Sequence, residues 1–88
     1  MSQTEILLHE MDTAEYLIKK YQSLHLSVSQ LADVLHYKSA ASLRTAISAE
    51  TCPVPTFKIA GKRVADVRDV AEYLDQARAT SRQRAAFP

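Results

Sequence analysis

The spacing of apolar positions changes along the chain. Leu7, Met11, Ala14, Ile18 and Tyr21 recur at alternating steps of four and three, which lines one face of a helix. A helix over 4–22 is expected, with Thr4 as one cap. Asp12-Thr13-Ala14-Glu15 resembles a cap box and offers a second, internal start. Ser23-Leu24-His25-Leu26 carries no period and reads as a connector. Ser27-Val28-Ser29-Gln30 has the form of a capping box, in which the Ser27 hydroxyl accepts from the Gln30 amide and the Gln30 side chain reaches back. The helix it opens is expected to bury Val28, Leu31, Ala32, Val34 and Leu35 and to end near Tyr37. Lys38-Ser39 follows as a tight turn, with Ser39 capping a helix from about Ala40 to Ala49. Ala40, Leu43 and Ile47 share one face of that helix. Ala41, Thr45 and Ser48 lie opposite, flanked by Ser42 and Arg44.

Pro53 and Pro55 end this helical section and favour extended backbone. Thr56-Phe57-Lys58-Ile59 alternates as a strand with Phe57 and Ile59 inward, and Arg63-Val64-Ala65 is the return strand. Ala60-Gly61-Lys62 forms the hairpin tip, where Gly61, the only glycine, supplies positive φ. Asp66 caps a last helix whose stripe is Val67, Val70, Ala71, Leu74 and Ala77, with Asp69 favourable to the helix dipole. The pattern stops after Arg78.

The expected fold class is therefore mainly α with a small β-hairpin, in the order helix, turn, helix, hairpin, helix. Two short helices joined by a tight turn and followed by a hairpin describe a winged helix-turn-helix. Three segments are expected: an N-terminal helix over 1–24, a DNA-binding domain over 25–78, and a flexible tail over 79–88. The stripe Leu7, Met11, Ala14, Ile18 and Tyr21 either packs on the rest of the domain or forms a short dimerisation helix; its spacing allows both.

Composition narrows the function classes. At 88 residues the chain suits one domain, and 47% hydrophobic residues suit a folded one. No apolar run approaches a membrane span, and the N-terminus lacks the pattern of a signal peptide, so a cytoplasmic location without membrane contact is expected. Cys52 is the only cysteine and reads as a small packing residue before Pro53. His9, His25, His36 and Cys52 have no metal-ligand spacing. No nucleophile–base set, phosphate loop or paired carboxylates are visible, so neither an enzyme nor a cofactor is expected.

The net charge is only +1, yet it is unevenly spread. Residues 1–50 hold four Lys/Arg against six Asp/Glu, and residues 51–88 hold seven against four. A basic patch on a near-neutral molecule follows. A helix entering the major groove, which is about 12 Å wide, needs small side chains and one or two donors. Ala41, Ser42, Arg44, Thr45 and Ser48 meet that need. Lys58, Lys62 and Arg63 on the hairpin suit the phosphate backbone or a neighbouring minor groove. Lys38 and Ser39 stand at a helix N-terminus, where amides bind phosphate, although Ser39 serves equally as a plain cap. Arg78, Arg82 and Arg84 read as a solvated tail rather than a DNA-touching arm.

Leu26-Ser27-Val28-Ser29-Gln30-Leu31-Ala32-Asp33-Val34-Leu35, followed by Ser42-Leu43-Arg44, resembles the first helices of MerR-like and AlpA/excisionase-type winged helices. Pro53-Val54-Pro55-Thr56-Phe57-Lys58-Ile59-Ala60-Gly61-Lys62-Arg63 resembles their proline, strand and Gly-basic wing, and Asp69-Val70-Ala71-Glu72-Tyr73-Leu74-Asp75 the helix after it. The resemblance covers about residues 26–78. Asp66 to Arg78 and the Thr13–Ile18 helix also resemble the pyocin activator family. This chain departs from the winged-helix pattern in having His36 where a glycine is usual, and a single Arg on the groove helix.

The resemblance implies a prophage or mobile-element protein, either a transcriptional regulator or an excisionase. It would bind double-stranded DNA as a homodimer or cooperative multimer, with a phage repressor or an integrase as protein partners. A protein-binding adaptor, such as an anti-repressor or antitoxin, is the other expectation, favoured by the near-neutral charge.

Overall fold

The computed structural model describes residues 12–85. Among them are four helices and a three-stranded antiparallel sheet: α1 (Thr13–Tyr21), β1 (His25–Ser27), α2 (Val28–Val34), α3 (Ala40–Ser48), β2 (Phe57–Ile59), β3 (Lys62–Asp66) and α4 (Val67–Ala85). The sheet order is β1-β3-β2.

Local chemistry sets each helix start. Asp12 Oδ1 accepts from the Glu15 amide at 2.7 Å, so α1 begins at the internal cap; Thr4, Leu7 and Met11 lie outside the described residues. Glu15 in the first turn of α1 and Lys19 and Lys20 in its last complement the helix dipole. Both bonds of the Ser27/Gln30 capping box are present at the start of α2, at 3.2 and 3.0 Å. Ser39 Oγ accepts from the Ser42 amide and opens α3. Asp66 Oδ1 accepts from the Arg68 amide and opens α4.

The helix ends are less expected. α2 stops at Val34, short of Tyr37, because His36 adopts φ 61°. Its amide reaches Asp33 O, and the Tyr37 amide reaches back to Ala32 O at 2.8 Å. This is the Schellman pattern, with histidine in the left-handed position that usually favours glycine. α3 ends in the same way: Glu50 (φ 59°) donates to Ile47 O, and Thr51 to Ala46 O. The two helices are thus joined by residues 35–39.

Leu17, Leu26, Val28, Leu31, Ala32, Leu43, Val54, Ala65, Val67, Val70 and Ala71 form one core. α1 packs chiefly along α4, and α2 against α3 and the sheet. Ala14, Ile18 and Tyr21, the described part of the N-terminal stripe, are half-buried against this core. Two braces hold α1. The Thr13 hydroxyl donates to Asp75 at 2.6 Å, and the Tyr21 hydroxyl donates to Asp33 at 2.9 Å.

Three expectations are corrected. His25–Ser27 is a strand rather than a connector. It pairs with β3 through Leu26 and Ala65, both fully buried, so the sheet has three strands and is more than a hairpin. Phe57 and Ile59 point outward, at 39% and 44% exposure. The register explains why. Leu26 and Ala65 occupy the core face, and strict alternation puts Arg63 and its partner Lys58 on that same side, with Val64, Phe57 and Ile59 on the other. Finally, α4 does not stop at Arg78: residues 79–85 of the expected tail continue it as helix, with residues 79–84 exposed, and residues 86–88 lie outside the described residues. Ala77 is exposed too. The apolar stripe ends at Leu74, but Ala79, Arg82, Gln83 and Arg84 are good helix formers, and a basic last turn suits the dipole.

Candidate nucleic-acid interface

α3 divides cleanly into two faces. Leu43 is fully buried and Ala40 and Ile47 pack against the core, whereas Ala41, Arg44, Thr45 and Ser48 are exposed. The outward face is low in bulk, and Arg44 is its only charge. Its hydroxyls are partly committed. Thr45 Oγ1 donates to Ala41 O at 3.1 Å, which leaves its methyl group and oxygen lone pairs for any partner. Ser42 is half-buried, and its hydroxyl sits 3.1 Å from that of Ser39. Lys38 and Ser39 are exposed just before the helix.

The β2–β3 hairpin turns on Ala60 and Gly61, at φ 51° and 79°, between the paired residues Ile59 and Lys62. Positive φ at both central positions is the type I′ geometry that suits a two-residue hairpin. The tip therefore comprises Ala60 and Gly61 alone, and Lys62 begins β3. Lys58 and Lys62 are exposed on opposite faces of the ribbon. Arg63 shares the Lys58 face and is half-buried.

Arg63 makes the link between hairpin and helix. A shallow groove is lined by Val28, Arg44, Ile47, Ser48 and Arg63, so one hairpin residue joins two outward polar residues of α3, Arg44 and Ser48. Arg63 Nη1 donates to Thr56 Oγ1 at 2.9 Å. No carboxylate lines this groove, and among the described residues the only ion pair is Arg68–Asp66, elsewhere in the fold. The structure thus brings Arg44, Ser48 and Arg63 together. It sets Lys62 on the opposite sheet face and Lys38 before the other end of α3. Sequence reasoning missed Thr56 and Val28 as parts of the site. A threonine between Pro55 and a strand carries no signal of its own, because its partner is seven residues away across a hairpin.

The acid and the phenol with perturbed ionisation belong to structural bonds. Hydrogen bonds from the Arg68 side chain hold the Asp66 carboxyl down to about 2 against the opposing effect of burial, with the Arg68 amide adding to the depression. Burial, then the bond to Asp33, pushes the Tyr21 phenol up to about 12. Neither group lines the Arg44–Arg63 groove. Among the described residues no group of three His, Cys, Asp or Glu is placed to hold a metal, and no helix is long and apolar enough to cross a membrane. Cys52 is half-buried against the core, with Sγ 3.3 Å from Val54 O.

Comparison with family models, with curated proteins and with solved structures gives no match, so the functional reading rests on these residues.

Proposed function

We propose that this chain is a winged helix-turn-helix protein that binds duplex DNA. α3 enters the major groove with its Ala41, Arg44, Thr45 and Ser48 face toward the DNA, and the β2–β3 hairpin acts as the wing. Lys58 and Lys62 add phosphate contacts from the hairpin, and Lys38 and Ser39 from the start of α3. The observation that carries the reading is the split character of α3, sealed inward by Leu43 and open outward on small polar residues, with a wing arginine in the same groove as Arg44. The chain performs no chemistry in this reading; it acts by occupying a site.

One module with this few cationic contacts binds weakly, so function requires a homodimer or a cooperative array on DNA. The output is transcriptional control or recombination directionality in a prophage or similar element, with a phage repressor or an integrase as further partners. Fluorescence anisotropy with the DNA upstream of its own gene, against a scrambled duplex, tests the proposal. Salt-sensitive binding that prefers the cognate duplex is expected. No binding at low ionic strength overturns it.

A protein-binding adaptor is the second reading, and the outward Phe57 and Ile59 favour it, since exposed apolar pairs on an edge strand suit a protein partner. The two readings separate on variants. Replacing Arg44 by Ala weakens duplex binding and activity in a DNA reader, whereas replacing Phe57 and Ile59 by Thr abolishes activity in an adaptor.

A further inference from the structure

The groove between α3 and the hairpin takes a cationic residue from each element. Arg44 and Arg63 line it together, and no acid does. Neither has an ion-pair partner among the described residues. Arg63 is half-buried and its Nη1 is anchored to Thr56, so it cannot simply swing away without breaking that bond. Two cationic side chains on one shallow groove make a favourable place for an anion. The anion best matched to two planar, multi-donor cations is a phosphate, whose oxygens accept from both.

Resting on the DNA-binding reading above, we infer that Arg44 and Arg63 close on one and the same backbone phosphate of the duplex, with Thr56 as the residue that positions Arg63. Helix and wing then grip a single point on the strand. That point sets the depth and angle at which α3 enters the groove. Ser48, which lines the same groove, offers a hydroxyl to a neighbouring oxygen of that phosphate. The Thr56 bond uses one of the five N–H donors of Arg63 and leaves the rest of the guanidinium free, so anchoring lowers the ordering cost of binding without consuming the phosphate-facing donors.

The salt dependence of binding distinguishes one shared phosphate from two. Arg44→Ala, Arg63→Gln and the double variant are titrated against the same duplex at several salt concentrations. Removing the neutralisation of one phosphate lowers the slope of log affinity against log salt by about 0.9. If the phosphate is shared, each single variant leaves it held by the other arginine, so the slope falls by less than about 0.5, and only in the double variant does the full decrement appear. Each single variant weakens binding by no more than about threefold, and the double weakens it by more than the product of the two. Thr56→Val weakens binding in the parent but not in the Arg63→Gln background, and Thr56→Ser restores the parent affinity.

Independent, multiplicative losses with slopes that add overturn the shared phosphate while leaving DNA binding intact. A change in base preference on Arg44→Ala at constant slope also overturns it, because Arg44 then reads a base edge. Failure of the unaltered protein to bind any duplex removes the underlying reading instead. Arg44 is exposed and Arg63 half-buried; circular dichroism melts establish that the variants remain folded.

Discussion

The Tyr21 hydroxyl donates to Asp33 Oδ2 at 2.9 Å and ties the end of α1 to the end of α2. Burial, together with the hydrogen bond and negative charge of Asp33, raises the phenol from 10.0 to about 12. The folded state therefore holds this proton more tightly than the unfolded chain. The resulting stability is fully present below pH 10 and is lost as pH rises toward 12. Tyr21→Phe is expected to cost roughly 0.5–1 kcal/mol at pH 7, at the low end for a hydrogen bond because Asp33 is exposed and rehydrates. Urea melts at pH 7 and pH 11 check it: the gap between parent and variant must shrink at the higher pH.

Asp66 joins sheet to helix, as the last residue of β3 and the cap of α4. Its carboxyl is held at about 2, below the ordinary 3.8, first by the bonds from the Arg68 side chain. A depressed carboxylate contributes stability that is present above pH 4 and lost as pH falls from about 4 to about 2. Asp66→Ala should cost roughly 1–2 kcal/mol at pH 7 through removal of the cap, and the difference from the parent should narrow on acidification through that window. Arg68→Ala should cost much less, because the Arg68 side chain is 74% exposed and the Asp66 cap bond to the backbone survives. Thermal melts across pH 2.5–7 measure both.

His36 and Glu50 occupy left-handed backbone where each helix of the α2–α3 pair ends. A side chain there costs about 1–2 kcal/mol, and glycine escapes that cost but loses about 0.5–1 kcal/mol of unfolded-state entropy. His36→Gly and Glu50→Gly are each expected to stabilise the protein by about 0.5 kcal/mol. Ala substitutions at the same sites should bring no gain, since Ala retains the Cβ. Chemical denaturation of the four variants tests this.

Thr45 lies on the outward face of α3 with its hydroxyl hydrogen committed to Ala41 O. Thr45→Glu should change stability by no more than about 0.5 kcal/mol, as an exposed substitution. In the proposed complex it places a negative charge against phosphate and base edges, so duplex affinity should fall at least about tenfold. Thr45→Val keeps the methyl group and should bind nearly as the parent. Anisotropy titrations paired with thermal melts provide the check; equal affinity for Glu and Val would remove α3 from the interface.

Much of the helical layer was legible because its signals are local. The Ser27/Gln30 box, the Ser39 cap, the Asp66 cap and the internal start at Asp12 depend on residues within three positions of one another. Leu43 inward and Thr45 outward followed from helical period alone. β1 was invisible for the opposite reason. Three residues are too few to show alternation, and His25–Ser27 becomes a strand only because β3 is there to pair with it. Val54 shows the same limit: it stands between Pro53 and Pro55, outside any periodic stretch, yet is 2% exposed.

The linear order of residues determined where the helices begin, which face of α3 is closed, and that positive charge gathers in the second half of the chain. Only the tertiary structure decided which side of the hairpin looks inward, and it reversed the expectation from hydrophobicity. Burial of Leu26 and Ala65 fixes the register of all three strands, and in a ribbon of period two that choice carries Arg63 toward α3 and turns Phe57 and Ile59 to solvent. The placing of Arg63 in the groove that Arg44 lines is a consequence of that register, and pairings made across a sheet leave no trace in the local sequence.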